Sequence, residues 1–365
     1  MRSSRSLGEI LRPGCGCTNT GATSHARRGG SIPSTRIRHR AEWLLVKTAT
    51  AVLPLLPRRI AHYIGERIGA VAAFVHRDGR RAAFSNLQCA FGEELTPTHR
   101  KELVLESYRY FGRASADLYW SPRVTRENVS ELFDLREVDK LKRVHGDRGL
   151  IFACLHYGGF EWIGLALGLT GFDATMVTQA FKNPLLTPEI NRLRRISGHQ
   201  TLRREGALLR LYKALRAGRS VILAVDLTIS PRLPSVPITC FGLQTCVTFA
   251  HAWLHKRTGA PIIPTHCEPL PDGRYALVLH PALEIPPDAT HRQIAQACWD
   301  RFEPVIRRNP GPWLWMYKHW RYLPPNAARP YPPYANESPH FTKLLARLAR
   351  EEKRGPARTV SAVTG

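Results

Sequence analysis

The sequence predicts an α/β fold, in which a mostly parallel sheet is covered by helices on both faces and preceded by apolar or amphipathic helices. From residue 149 onward, continuous apolar runs alternate with helical patterns, which is typical of strands that are buried on both faces. With 43% hydrophobic residues in a chain of 365, the composition supplies a sizeable core. The predicted strands include GLIFACLH, SVILAVDLT and APIIPTHCE, and the helical patterns include FEWIGLALGL, EGALLRLYKALRAG and FAHAWLHKRTG.

Turn and capping signals place further elements. Thr96 and Pro97 have the N-cap and N1 identities that begin a helix, and a long helical pattern follows them. The Asp272-Gly273 pair before RYALVLH is a hairpin signal, which predicts an antiparallel strand next to the parallel ones. Thr290, with a glutamine three residues later, has the spacing of a capping box and predicts a helix that ends before Pro310.

The two ends of the chain differ from its middle. Residues 1–40 carry eight arginines and one glutamate, and they read as a disordered basic leader without a secretory signal. Residues 323–365 form a proline-rich segment followed by a basic tail. Between them, residues 43–75 contain two apolar segments that charges and a proline interrupt before the ~20 residues of a membrane span. They predict helices that lie on or dip into a membrane, with ordinary core helices as the alternative.

The formal net charge is +24. This charge favours anionic partners, which are nucleic acid, an acidic membrane surface or an acidic carrier protein. No nucleic-acid-binding motif accompanies it, so we expect no nucleic-acid partner. The eight cysteines contain no CxxC pair, and several lie in apolar runs, which is typical of free thiols in a reducing compartment.

The most informative segment is GLIFACLHYGGFEWIG, where a buried strand ends at His156. Gly158 and Gly159 allow a tight turn, after which Glu161 falls in the first turn of a helix. Ligands bind at this edge of open α/β sheets. The carboxylate can orient the imidazole while the other ring nitrogen takes a proton from a hydroxyl group. The alternative is that His156 only ends the strand and Glu161 favours the positive end of the helix dipole.

Several segments together indicate a family. HYGGFE is similar to the H-x4-D/E box of the glycerolipid acyltransferase superfamily. RRAAFSNLQCAFGE, SVILAVDLT, VPITCFGLQTCVT, GAPIIP, PDGRY and NPGPWLWMYKHWRY occur in an order that resembles the late acyltransferases of lipid A biosynthesis. These are the lauroyl and myristoyl transferases, to which the phosphatidylinositol mannoside acyltransferases are related.

The resemblance implies an acyltransferase domain over residues 41–322. It implies that a fatty acyl group moves from an acyl carrier protein or coenzyme A thioester to a hydroxyl of a membrane glycolipid. The nucleophile is the acceptor's own alcohol, so this chemistry requires no metal and no cofactor. By resemblance, His156 is the general base and Glu161 is its orienting partner.

The resemblance also implies substrate-binding residues. Arg194 and Arg195 lie where the family carries a basic residue that faces the substrate, although a solvated helix face is the alternative. Asp226 matches the aspartate at the end of a family strand, which binds polar groups of the acceptor or ties down the next loop.

We therefore expect an enzyme at the cytoplasmic face of the inner membrane, attached to an anionic leaflet. The rival is a non-catalytic lipid-binding protein of the same fold, in which His156 and Glu161 would be dispensable. The aromatic cluster at residues 313–322 has three possible roles: its side chains can lie at the membrane interface, stack on a ligand or pack in the core.

Overall fold

The computed structural model describes residues 32–146 and 148–353 of the chain. Most of the predicted leader (residues 1–31) and the end of the predicted tail (354–365) lie outside the described residues. The first helix begins at Ile32, so residues 32–40 of the predicted leader are helical. The reason is local, because residues 35–52 contain no glycine or proline and are rich in helix-forming Ala, Leu, Arg and Lys.

The helices account for most of the chain outside the sheet. The N-caps predicted at Thr96 and Thr290 are confirmed, since each side chain accepts a hydrogen bond from the backbone N–H three residues later. The helices are α1 (Ile32–Val52), α2 (Arg58–Val75), α3 (Arg77–Phe91), α4 (Pro97–Trp120), α5 (Val129–Leu132), α6 (Arg136–His145), α7 (Ile163–Leu169), α8 (Leu186–Arg194), α9 (Ala207–Arg216), α10 (Ala250–Thr258), α11 (His291–Arg308) and α12 (Pro339–Lys353).

The sheet confirms the predicted α/β class. Seven strands pair in the order β1-β9-β8-β2-β5-β3-β4, and every pairing is parallel except that of β8 with β9, where the hairpin signal predicted a reversal. β6 and β7 form a separate antiparallel hairpin. The strands are β1 (Phe133–Asp134), β2 (Ile151–Gly158), β3 (Ala174–Thr178), β4 (Gln200–Arg203), β5 (Ser220–Ala224), β6 (Ser235–Cys240), β7 (Leu243–Thr248), β8 (Ile262–Pro269), β9 (Tyr275–Leu279), β10 (Tyr322–Leu323) and β11 (Asn336–Glu337).

Two apolar cores lie on opposite faces of this sheet. Alternate residues of a strand point to opposite faces, and β2 follows this rule. Ile151 and Ala153 belong to the core that contains side chains of α9, α10 and α11. Phe152 and Cys154 belong to the core that contains side chains of α6 and α7. Because β2 is buried on both faces, its carboxyl end is held rigidly at the edge of the sheet.

Helix α2 packs on α4 through small residues. Gly65 and Gly69 face α4, and a Cβ atom on Gly69 would overlap the backbone carbonyl of Tyr108. The close approach of the two backbones leaves no room for large side chains between them. Most large apolar side chains of α2 therefore point away from the protein, and Val71 and Phe74 are 61% and 69% exposed.

A buried carboxylate fastens α2 to the sheet. Asp117 of α4 accepts hydrogen bonds from Arg58 Nε (3.0 Å), His62 Nε2 (2.7 Å) and the Tyr275 hydroxyl (2.6 Å). Burial raises the pKa of Asp117, but the positive charges of His62 and Arg58 outweigh it, and the pKa is lowered. The carboxylate is thus ionised and joins α2, α4 and β9.

The α2 to α4 contact makes a prediction about stability. We expect Gly69→Ala to lower the free energy of unfolding by about 1–3 kcal/mol, because the methyl group forces the backbones apart. This loss should appear even though alanine is about 1 kcal/mol better than glycine inside a helix. The measurement is urea unfolding. Val71→Ala, on the outward side of α2, is the control and should change stability by no more than about 0.5 kcal/mol. Equal stability of the two variants would contradict the close packing.

Candidate active site

The pairing of β2 with β5 brings His156 and Asp226 together. The two strands are parallel and pair Cys154 with Ala224, so two residues further on His156 stands beside Asp226. Both residues lie at the carboxyl ends of central strands, which is the edge where open α/β sheets bind ligands. The site therefore has a histidine and a carboxylate from neighbouring strands.

Asp226 holds His156 by two contacts. One carboxylate oxygen lies 2.7 Å from the His156 ring nitrogen Nδ1, and the other accepts the His156 backbone N–H at 3.1 Å. The Trp313 indole N–H donates to this second oxygen at 3.0 Å. A carboxylate can only accept, so Nδ1 carries the proton and Nε2 has the free lone pair. The histidine side chain is 20% exposed, which suits a base that a substrate can reach.

The charges of the pair stabilise each other. Burial lowers the pKa of His156, but the Asp226 carboxylate outweighs it and the pKa is raised. Burial raises the pKa of Asp226, but His156 and the hydrogen bond from Trp313 outweigh it and the pKa is lowered. The His156 contribution to stability is present below the unfolded pKa of imidazole and is lost as pH rises through the raised value. The Asp226 contribution is present above its unfolded pKa and is lost as pH falls through the lowered value.

Glu161 has a different partner from the one that the sequence predicts. Its carboxylate accepts two hydrogen bonds from Arg194, Nε at 2.9 Å and Nη2 at 2.7 Å. The carboxylate that orients the His156 ring is Asp226, for which the family resemblance implies a substrate-binding role. The physical reason is the strand register, because it puts Asp226 directly beside His156 while Glu161 sits beyond the turn. Glu161 remains close enough for its charge to raise the pKa of His156.

The two predicted arginines point in different directions. Arg194 is part-buried and forms a bidentate ion pair with Glu161, and that carboxylate raises the pKa of the guanidinium against the effect of burial. Arg195 is exposed, and its Nε donates to the backbone carbonyl of Asn191. Of the two, only Arg194 is brought to the His156 site.

The glycine turn at the end of β2 is tight, as the sequence predicts. Gly158 has a φ of +55°, and a Cβ atom there would overlap the carbonyl oxygen of Cys267. A side chain on Gly159 would meet the ring of Tyr275 at 2.8 Å. The turn thus requires glycine at both positions, and it sets where Glu161 can lie.

Sequence reasoning missed the role of Trp313. Its ring is fully buried, donates to Asp226, and stacks on His319 with ring centroids 3.9 Å apart. Trp315 and Trp320 are also fully buried. All three indoles therefore pack in the core, which is one of the three interpretations that the sequence allows. No sequence signal distinguishes Trp313 from its neighbours, since only the fold shows which indole reaches the site. Among residues 32–146 and 148–353, no group of three or more His, Cys, Asp and Glu side chains is placed to hold a metal ion.

The geometry predicts the titration of His156. We expect Asp226→Asn to lower the pKa of its imidazole, because burial then acts without the neighbouring negative charge. The measurement is the pH dependence of the histidine ¹⁵N shifts, assigned by comparison with His156→Gln. Asp173→Asn, which removes an exposed carboxylate paired with Arg219, is the control and should leave the His156 titration unchanged. An unchanged pKa in Asp226→Asn would show that the pair does not form in solution.

Comparison with known proteins gives the family. Residues 32–322 match the family of bacterial lipid A biosynthesis acyltransferases, a stretch that contains every site residue above. Two relatives are phosphatidylinositol mannoside acyltransferases of Mycobacterium tuberculosis, strains ATCC 25618 / H37Rv and CDC 1551 / Oshkosh. Each is 25% identical over 229 residues, which cover 60% of this chain and 70% of the relative. The match over most of its length confirms the resemblance seen in the motifs, and the chain belongs to the bacterial lipid A biosynthesis acyltransferase family.

Proposed function

We propose that the protein is a membrane-attached O-acyltransferase that moves a fatty acyl group from an acyl carrier protein or coenzyme A thioester to a hydroxyl of a membrane glycolipid. The observation that carries this proposal is the His156–Asp226 pair, which leaves the free lone pair of Nε2 at the ligand-binding edge of the sheet. Family membership supports acyl transfer to a lipid. The net charge of +24 suits an acidic carrier and an anionic leaflet.

The proposed reaction uses His156 as the proton carrier. Nε2 takes the proton of the acceptor hydroxyl as its oxygen attacks the thioester carbonyl. The new C–O bond forms, the C–S bond breaks, and His156 returns the proton to the leaving thiolate. Asp226 keeps the ring oriented and stabilises the imidazolium that exists between these steps.

Arg194 completes the proposed site as a positive charge. Glu161 engages its Nε and Nη2 atoms, and the Nη1 atom makes no hydrogen bond with the residues that the structure describes. These N–H groups are available to the oxygen that becomes negative in the transition state, or to a polar group of the acceptor. In this proposal Glu161 is a positioning residue that acts through Arg194.

The outward face of α2 supports attachment to a membrane. Of the seventeen large apolar side chains that are exposed among the described residues, eleven lie between residues 37 and 75. Within α2 they recur at helical spacing and form the face that we call the α2 apolar face: Ile60, Tyr63, Ile68, Val71, Phe74 and Val75. Exposed apolar patches of this kind mark membrane or protein contacts. Within residues 32–146 and 148–353, no helix is both long and apolar enough to cross a membrane.

The proposed location is the cytoplasmic face of the inner membrane. Interfacial helices bind by burying an apolar face while their basic residues contact anionic lipids. Arg59 and Arg67 of α2 are exposed beside the α2 apolar face. The thiols of Cys154, Cys240 and Cys267 are buried and free, which suits the reducing cytoplasm.

The catalytic proposal is tested with the purified protein, acyl carrier protein and coenzyme A thioesters, and membrane lipid extracts analysed by mass spectrometry. We expect His156→Ala to lower the rate by about 10² to 10⁴ because it removes the base, and we expect the variant to remain folded at the assay temperature. His340→Ala, an exposed histidine of α12, is the control and should retain full activity. Full turnover by His156→Ala would overturn the mechanism and favour a lipid-binding role.

The same assay yields a pH dependence. The base must be neutral to accept a proton, so the rate should rise with pH through an apparent pKa above the ordinary value of 6.5, since Asp226 raises the pKa of His156. Asp226→Asn should move the rising part of the pH–rate curve to lower pH, and it should also lower the maximal rate reached at high pH. Glu161→Gln should lower this maximal rate while leaving the His156–Asp226 hydrogen bond in place. A rising part that stays fixed in Asp226→Asn would contradict the pairing during catalysis.

The attachment proposal is tested by substitution, because deletion of α2 would remove the inward glycines that pack on α4. We expect Ile68→Ser, Val71→Ser and Phe74→Ser together to weaken binding to vesicles by at least about tenfold, since each buried apolar side chain contributes about 1.5–3 kcal/mol. The measurement is co-sedimentation with vesicles of phosphatidylglycerol and phosphatidylethanolamine. The control removes three exposed apolar side chains elsewhere: Val144→Ser, Leu209→Ser and Leu233→Ser. Equal loss in both variants would place the attachment outside α2.

A further inference from the structure

A second cleft lies apart from the His156 site. It has a volume of about 1120 Å³ and is bounded by α3, the first turns of α4 and the segment 329–334. None of His156, Glu161, Arg194 or Asp226 lines it. Its α3 wall is the segment 80–93, whose family resemblance the catalytic site does not explain. The volume is slightly above the ~300–1,000 Å³ that is typical of pockets for small ligands.

The cleft carries an excess of positive charge. Six cationic side chains line it, against the two carboxylates of Asp78 and Glu93. None of the six forms an ion pair with a carboxylate of the residues that the structure describes. A cluster in which cations outnumber carboxylates raises the local concentration of anions. The six are Arg80, Arg81, Arg100, Lys101, Lys318 and Arg329.

Half of these cations are held in place by the backbone. Arg80 donates to the carbonyls of residues 73 and 74, Arg100 donates to that of residue 95, and Arg329 donates to those of residues 89 and 241. The side chains of Arg81 and Lys101 make no hydrogen bond or ion pair with a described residue. The cleft thus combines three guanidinium groups that the backbone holds in place with two side chains, Arg81 and Lys101, whose donors are free to bind a ligand.

Apolar and aromatic side chains also line the cleft. Phe84 and Val104 come from α3 and α4, and Tyr331 and Tyr334 come from the segment on the other side. A small inorganic anion would leave these side chains without a contact. The lining instead fits a phosphate group that is attached to an apolar body.

The cleft adjoins the α2 apolar face. Arg80 bonds the last carbonyls of α2, next to Phe74 and Val75, which are 69% and 75% exposed. A protein attached to a membrane through this face would hold the cleft at the level of the lipid headgroups. We propose that the cleft binds the phosphate headgroup of an anionic membrane phospholipid, with Arg81 and Lys101 as its free donors. This inference rests on the proposed membrane attachment and is independent of the acyl-transfer chemistry.

The test uses a phospholipid that is soluble as a monomer, so it does not depend on membrane attachment. We expect the full-length protein to bind dihexanoyl phosphatidic acid saturably in isothermal titration calorimetry, and dihexanoyl phosphatidylcholine much more weakly. Arg81→Gln with Lys101→Gln should weaken binding by at least about tenfold, because two charged donors are lost. The control, Lys213→Gln with Arg216→Gln, removes two exposed charges from α9 and should bind as the parent does.

Each other outcome overturns a stated part of the proposal. Binding of phosphatidic acid that is equal in the two double variants would place the anion site outside the cleft. Pyrophosphate or coenzyme A binding more tightly than phosphatidic acid, with the same loss in the Arg81 and Lys101 variant, would show that the ligand is a soluble phosphate. Absence of saturable binding for every probe would exclude the site. Acyltransferase activity measured on the same variants separates a failure here from a failure of the catalytic proposal.

Discussion

The site depends on one buried carboxylate. Moving a negative charge from water into a protein interior costs several kcal/mol unless hydrogen bonds and a partner charge compensate it. Asp226 receives this compensation from the backbone and ring of His156 and from the indole of Trp313. These donors come from β2 and from the loop that carries Trp313, and Asp226 itself follows β5. The need to compensate one buried charge therefore joins three distant parts of the chain.

A second buried carboxylate has a comparable task beside helix α2. Asp117 binds Arg58 and His62 of α2, and its backbone carbonyl accepts the indole N–H of Trp162 at 2.8 Å. Trp162 directly follows Glu161 in the turn that carries the ion pair with Arg194. The position of α2 and the position of the Glu161 turn are therefore set by the same residue. The proposed membrane contact and the proposed reaction site share this support, so they keep a fixed distance from each other.

Much of the sheet could be predicted from the sequence, because strands buried on both faces leave continuous apolar runs. His156 and its glycine turn were also visible, since a polar residue at the end of such a run is unusual. The partner of His156 was not found, because nearness in sequence favoured Glu161. A usable signal existed: LIFACLH and SVILAVD are both seven residues long, and pairing them in parallel register puts His156 opposite Asp226. The sequence could not show which of Arg194 and Arg195 reaches the site, because the orientation of their side chains depends on where α8 ends.

The closure of the fold by the loop at residues 313–317 has a consequence for biosynthesis. Asn86 of α3 donates to the backbone carbonyls of Trp315 and Tyr317, which lie 229 and 231 residues further along the chain. Trp313, in the same loop, completes the donor set of Asp226. A ribosome exposes the chain from its N-terminus, so a nascent chain shows its apolar N-terminal helices long before this loop emerges. The proposed membrane attachment through α2 can thus form while the chain is still being translated, whereas Asp226 receives the Trp313 hydrogen bond only after residues 313–317 have emerged.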